Sequence, residues 1–568
     1  MLLFEPAVAS QNQASVEPRR VNESGAGQVP AVNHVFAHDA EPFGKLAKHA
    51  VGGKLHGLLV EIHESFSLYR STRGFTIYVL TMLAKHSIGV AIVLFWCVMN
   101  VLLVRRQFTA PPTPIALRAT ERISETIEEW WGVFYRGEKI GYANQIIEPK
   151  TQGYEIRDYS ELRLRLLGTN QVALTKLRID VDTEWALDKF DFELQSGDVS
   201  FKASGRFAPG RLEVETFSAG HRATRDIPLT QKPYLLAALK PFVATQQLEE
   251  KKDHYFSTFD PATLSQQTTK VVVEGREVIR VGERSEPALR VRQQFKGISV
   301  VSWLDGSGRT LKEESPAGLS MTRQSPAQAR ELGATRSVSL DLIARTSIPV
   351  AAPIANADEK SLLRARLSGF EPADFMLSAG RQQWREGVLE IRREPKSSVG
   401  AYSLPIEDKR FASFLQPTPF SQSDNPSLRS LAAKILGGEK DAAKAALLIK
   451  DWVYRNIAKQ PTISIPNALE VLRTRKGDCN EHTVLFNALA RAVGIPAKTV
   501  VGVVYLRGAF YYHAWAEVWL GAWVSLDPVF NQFPADVTHI KFLEGDIDRQ
   551  IDILRLIGNL KIEVLEAS

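Results

Sequence analysis

The sequence predicts an α+β protein of two to four domains, mainly antiparallel β in its middle, with helices followed by a small antiparallel sheet at its C-terminal end. Three observations lead there. A chain of 568 residues is too long for a single hydrophobic core. Apolar and polar residues alternate, with turn signals between the runs, from about residue 130 to 325. After residue 410, four segments with helical spacing precede three strand-like ones. The charged and apolar fractions are ordinary for a globular protein. A net charge of +6 over this length leaves no basic stripe, which sets nucleic-acid binding aside.

Taken in order, residues 1–70 are rich in Ala, Gly, Ser, Val and polar residues without sustained periodicity, and read as a weakly structured tail. Residues 87–104, closing on "IGVAIVLFWCVMNVLLV", are apolar enough for one transmembrane helix. Arg105, Arg106 and Gln107 follow where a cleaved signal would show small residues, so the segment reads as an uncleaved anchor. Basic residues on its flanks, Arg70, Arg73 and Lys85 against Arg105, Arg106, Arg118 and Arg122, are too even to orient it. Translation from Met82 instead of Met1 would leave the same anchor with a short positive leader. "TAPPTP" from Thr109 is a stiff spacer, and "IALRATERISETIEEW" after it predicts a short helix.

A mainly β domain is expected over 116–325. "YEIRDYSELRLRLLG" and "VSFKASGRFAPGRLEVETF" alternate, and "VVSWLDGSGRTLKEE" predicts a hairpin turning at Asp305-Gly306-Ser307-Gly308. A second β-rich or mixed region follows at 337–402. The last domain, 410–568, opens with "NPSLRSLAAKILG", "DAAKAALLIKDWVYRNIAK" and "NALEVLRTRKG" as helices, the first started by Asn-Pro. A fourth helix carries Leu485, Ala488, Leu489 and Ala492 on one face and stops at Gly494 and Pro496. "KTVVGVVYL", "YYHAWAEVWL" and "AWVSLDP" are then strands.

The two cysteines narrow the chemistry. Cys97 lies in the apolar segment and Cys479 near the C-terminal end, so there is no disulfide framework, and no spacing suits zinc. No metal and no organic cofactor is implied.

"GDCNEHTVLFNALARAVGIPAKTVVGVVY" followed by "YYHAWAEVWLGAWVSLDP" resembles the core of the transglutaminase-like superfamily. The elements are Gly-x-Cys opening a helix, Arg-x-x-Gly-Ile-Pro-Ala, His-Ala-Trp-x-Glu-Val and Trp-x-x-x-Asp-Pro, in that order. The β-rich regions upstream resemble, less specifically, the extracytoplasmic parts of membrane-anchored bacterial members. The resemblance implies a papain-like domain with a Cys479–His513–Asp527 triad.

The residues support that triad physically. Cys479 stands at the first turn of its helix, where unpaired N–H groups and the dipole favour an anion. A free thiol of pKa about 8.5 needs such help, or a partner imidazole, to ionise at neutral pH. His513 can supply the imidazole, and Asp527 can fix its tautomer. The backbone N–H of Cys479 is the best oxyanion donor legible in the chain. His482, three residues after Cys479, is a rival base; with Asp478, Glu481 and Trp515 it is expected in the wall of the site or just behind it. Each has a plainer use. Asp478 suits a helix cap, Trp515 ordinary packing, Asp527 before Pro528 a turn, and a lone Cys a small buried hydrophobe.

The function expected is a membrane-anchored cysteine enzyme, acyltransferase or hydrolase, acting at a carboxamide or peptide bond of a protein or peptide substrate, cell-envelope material included. Its domains would lie on the periplasmic side of the bacterial inner membrane, held by one helix. The alternative is a catalytically silent fold of the same kind that docks a partner or serves as a scaffold.

Overall fold

The computed structural model describes residues 123–568 apart from 167, 246–247, 316–317, 332–342, 344–345 and 395–401. The tail 1–70, the apolar segment 87–104 and the alternative start at Met82 lie outside these residues. Among the described residues no helix is long and apolar enough to cross a membrane.

Fourteen strands make one antiparallel sheet. Alternation in the sequence becomes a two-faced strand: in Arg211–Ser218, Leu212, Val214, Thr216 and Ser218 are buried and the residues between them are not. The first strand, Ile127–Tyr135, pairs with the last, Leu319–Arg323, in the middle of the sheet. The edges are therefore His221–Pro228 and Asp253–Asp260, neighbours in sequence. The helix Leu236–Thr245 joins them, its Phe242 packing edge-on against Phe256 at 5.4 Å between ring centres. The turn at Asp305-Gly306-Ser307-Gly308 joins Ile298–Leu304 to Thr310–Glu314 as expected.

One expectation fails. The short helix read from "IALRATERISETIEEW" does not extend to its end, because Ile127–Tyr135 is a strand. Trp130, Trp131, Val133 and Tyr135 are all buried there, and pairing on both sides outweighs the helical spacing of the upstream residues.

After the helix Pro326–Arg330 the chain enters a four-stranded sheet in the order Gln382–Arg385, Val388–Arg392, Leu362–Ser368, Lys561–Ala567, so the last strand of the chain returns to this sheet. Between lie four helices, Pro426–Leu436, Ala442–Asn456, Ala468–Thr474 and Cys479–Ala492. Asn425, Asp441, Asn467 and Asp478 cap their N-termini by accepting backbone N–H bonds. Three long strands follow side by side, Ala509–Trp519, Ala497–Leu506 and Ile540–Glu544, with Trp523–Leu526 on the outer side of the first.

The large sheet and the helices share one apolar core. Phe190, Phe201 and Leu212 of the sheet belong to the same buried cluster as Leu428, Ile449 and Leu485 of the helices, and Phe201 lies 6.2 Å from Phe420. Asp198, in the turn between two sheet strands, also takes Lys476 at 2.7 Å, and its carbonyl accepts from Arg473 at 2.5 Å. The sheet thus grips the segment that leads into Cys479.

Candidate active site

Cys479 is the first residue of its helix, and Asp478 is the N-cap. Asp478 Oδ1 accepts from the Asn480 N–H at 2.9 Å, while Glu481 Oε2 accepts from the Asp478 N–H at 2.8 Å. This reciprocal pair fixes the turn carrying the thiol. Glu481 also accepts from the Ser464 hydroxyl, and burial beside Asp478 raises its pKa. Asp478 and Glu481 therefore hold the backbone on which Cys479 stands.

His513 lies on the strand Ala509–Trp519, opposite Gly502 of Ala497–Leu506. A Cβ on Gly502 would sit 1.8 Å from the Ile540 carbonyl oxygen and 3.0 Å from the Trp515 ring, so only glycine lets three strands close up at this level. Trp515, two residues along and on the same face, stacks with His513 at 6.2 Å between ring centres and 18° between planes.

His513 Nε2 donates to Asp527 Oδ2 at 2.7 Å. With Nε2 engaged, Nδ1 is the nitrogen left for the sulfur, and His513 and Cys479 are near enough for each to act on the other's ionisation. Asp527 follows directly on the strand Trp523–Leu526. Its Oδ1 accepts from the N–H groups of Val529 at 2.6 Å and Phe530 at 3.0 Å, so it turns the chain and orients the imidazole at once.

All three side chains are buried, and their ionisation follows from one another. Burial alone would strip His513 of its proton, but the charge and hydrogen bond of Asp527, with Cys479, raise its pKa to about 9. Burial would likewise raise Asp527, yet His513 and His539 hold its carboxyl far below the usual range. Burial works to raise the Cys479 thiol, and His513 works to lower it. The arrangement places a thiol beside an imidazole that a buried carboxylate holds in its protonated form, a geometry that favours a thiolate.

His482 is not part of it. Its Nδ1 meets the Asp478 carbonyl at 2.8 Å and its Nε2 the Ile457 carbonyl at 3.3 Å, and burial lowers its pKa. It ties the helix start to the end of the helix Ala442–Asn456.

Sequence reasoning missed a further histidine. His539 Nε2 donates to the same Asp527 Oδ2 at 2.9 Å, and its Nδ1 lies 3.2 Å from Asp536 Oδ1. The donor atoms of His513, Asp527 and His539 fall within 4.8 Å of one another, close enough to suggest a cation. Two short N–H···O bonds already fill that space, so hydrogen bonding accounts for the convergence.

Comparison with known proteins agrees with this geometry. The Transglutaminase-like superfamily model matches residues 429–528. An uncharacterised protein of Haemophilus influenzae is 28% identical over 212 residues, 32% of this chain and 54% of its own. The chain thus spans about half the length of that curated relative. A crystal structure from Cytophaga hutchinsonii, provisionally named a cysteine protease, aligns over 37% of this chain and 85% of its own at 18% identity and TM-score 0.24. A β-barrel-like protein of a domain of unknown function from Brucella abortus aligns over 36% and 96% at 12% identity and TM-score 0.29. At such scores neither structural likeness bears on function. Over residues 429–528, the span from the first helix through the proposed triad, the chain carries a transglutaminase-like domain.

Proposed function

We propose that this chain is a cysteine enzyme that transfers or hydrolyses an acyl group at a carboxamide or peptide bond of a protein substrate. The observation that carries the reading is a buried His513 bound through Nε2 to Asp527, with Cys479 beside it at a helix N-terminus. The Cys479 thiolate attacks the carbonyl carbon, forming a C–S bond and moving an electron pair onto oxygen. The helix N-terminus, with the Cys479 N–H, faces that developing charge. Collapse breaks the C–N bond, and the leaving amine takes its proton from His513. Water or a second amine then gives a proton to the neutral imidazole as it attacks the thioester, and thiolate departs. Water yields hydrolysis, whereas an amine yields a cross-link. Asp527 keeps the imidazole in one tautomer through both steps.

The test is acyl-donor profiling of the full chain with and without an added primary amine. The parent should release amine from a peptide carboxamide, and Cys479→Ser should lose at least about 1,000-fold while keeping its melting temperature. A serine variant of full activity contradicts the thioester route.

We also infer that the apolar segment 87–104 anchors the chain in the inner membrane with residue 110 onward outside the cytoplasm. The support is its length and apolarity, and a single cysteine beyond it, which cannot close an internal disulfide in an oxidising compartment. Protease added to intact spheroplasts should digest the part after Thr109. Protection until lysis contradicts this topology.

A further inference from the structure

The residues from Asp527 to His539 form a closed hydrogen-bonded circuit. The backbones of Asp527 and Gln532 exchange two bonds at 3.0 Å. The Gln532 side chain donates to Asp536 Oδ2 at 2.8 Å and accepts from the Asp536 N–H at 2.9 Å. Asp536 Oδ1 takes the Thr538 N–H at 2.8 Å and hydroxyl at 2.6 Å, together with His539 Nδ1, and His539 Nε2 returns to Asp527. Arg381, from the four-stranded sheet, clamps the circuit from outside. Its guanidinium donates to the carbonyls of Ala535, Asp536 at 2.9 Å and His539 at 3.3 Å, and pairs with Glu394 at 2.9 Å.

Both ring nitrogens of His539 face carboxylate oxygens, and an ionised carboxylate can only accept. Each nitrogen therefore carries a proton, and His539, fully buried, is an imidazolium. Its ring centre stands 5.7 Å from that of His513. We propose that His539 is a positioning residue for the His513–Cys479 pair, pinning Asp527 Oδ2 on His513 and weakening that carboxylate's hold on the His513 proton. The inference rests on the reading of Cys479 and His513 given above.

Two consequences follow. The bond to Oδ2 restricts rotation of the Asp527 carboxylate, so the imidazole keeps its aim at the sulfur through both proton transfers. A second cation beside the same carboxylate also disfavours protonation of His513, easing delivery of its proton to the leaving amine. The other charged groups around His539 do not cancel this. Asp536 meets the far ring nitrogen, Nδ1, and leaves Nε2 to Asp527; Arg381 reaches the circuit only through backbone oxygens, and Lys541 on the adjoining strand turns to Glu517 and Glu544.

The test follows iodoacetamide alkylation of Cys479 against pH in the full chain, read on the Cys479 peptide by mass spectrometry so that Cys97 does not contribute. In the parent, the rate should show an upper inflection as His513 loses its proton near pH 9. His539→Gln keeps a donor for Asp527 without the charge, and should move that inflection up by about one pH unit at an unchanged melting temperature. His539→Ala should lower acyl transfer at least about 10-fold, with partial recovery in His539→Gln. A merely structural role would lower the melting temperature and leave the inflection in place. An unmoved inflection in a folded His539→Gln protein overturns the inference while leaving the triad intact. A parent whose Cys479 titrates as an ordinary thiol overturns the reading beneath it, and this inference with it.

Discussion

The large sheet and the C-terminal domain handle charge differently. On the sheet many ionic groups pair at the surface, such as Lys202 with Glu193 at 3.0 Å and Arg222 with Glu215 at 3.1 Å, and the buried Glu129 and Glu155 pair with the partly exposed Arg323 and Arg178. In the C-terminal domain one cluster is inside altogether, where Asp527 and His539 have no exposed surface and His513 only 3%. An exposed pair contributes little, whereas a charge left unpaired in the interior costs several kcal/mol. A chain that keeps such groups buried does so at risk to its stability. Burial of charge alone does not mark chemistry, however. Lys498, Glu517, Lys541 and Glu544 form a network in the same domain that merely ties three strands together. What separates the two buried clusters is that one of them ends on a thiol.

This contrast can be broken most sharply at His513 and His482, two of the buried histidines. His513→Ala should reduce acyl transfer about 1,000-fold or more, and His482→Ala less than about 10-fold, at comparable melting temperatures. Equal losses would return His482 to the chemistry. The ionic cluster should also give the domain a pH-dependent stability that the exposed pairs do not. His513 has its folded pKa raised, so its contribution is complete below its unfolded value of about 6.5 and fades as pH rises through about 9. Asp527 is depressed, so its contribution holds above about 3.9 and is lost on acidification. Denaturant titrations should therefore find the largest gap between parent and His513→Ala between about pH 4 and 6.5.

Two smaller effects sharpen the comparison. Gly502→Ala must push apart the strands that bring His513 and His539 together, and should cost about 1–3 kcal/mol together with a slower-reacting thiol. On the sheet surface, Lys202→Ala should fall within about 0.5 kcal/mol of the parent and leave Cys479 reactivity unchanged.

The proposed triad was legible because local sequence marks the places of its members. Gly477-Asp478 caps the helix of Cys479, His513 alternates with Trp515 on a strand, and Asp527 stands before a proline at a strand end. His539 had no such mark. Its partners, Asp527 and Asp536, reach it through a loop whose hydrogen bonds only the folded chain reveals, although Asp536-x-Thr538-His539 is a local turn signal that could have drawn notice. Arg381 was invisible for the same reason, since it contacts the site from more than 150 residues away. Strands were readable in the middle region, but not their union in one sheet. That depends on Ile127–Tyr135 finding Leu319–Arg323 across nearly the whole domain, a pairing that periodicity does not encode. The return of Lys561–Ala567 to Leu362–Ser368 is of the same kind.

The central claim is that Cys479 is a thiolate held by His513, and alkylation against pH tests it most directly. The rate of iodoacetamide reaction at Cys479 should already be high at pH 5–6, well below the range of a free thiol at about 8.5. In His513→Ala it should fall and follow an ordinary thiol curve. A parent Cys479 that reacts only as pH approaches about 8.5, with the same profile in His513→Ala, would contradict the account.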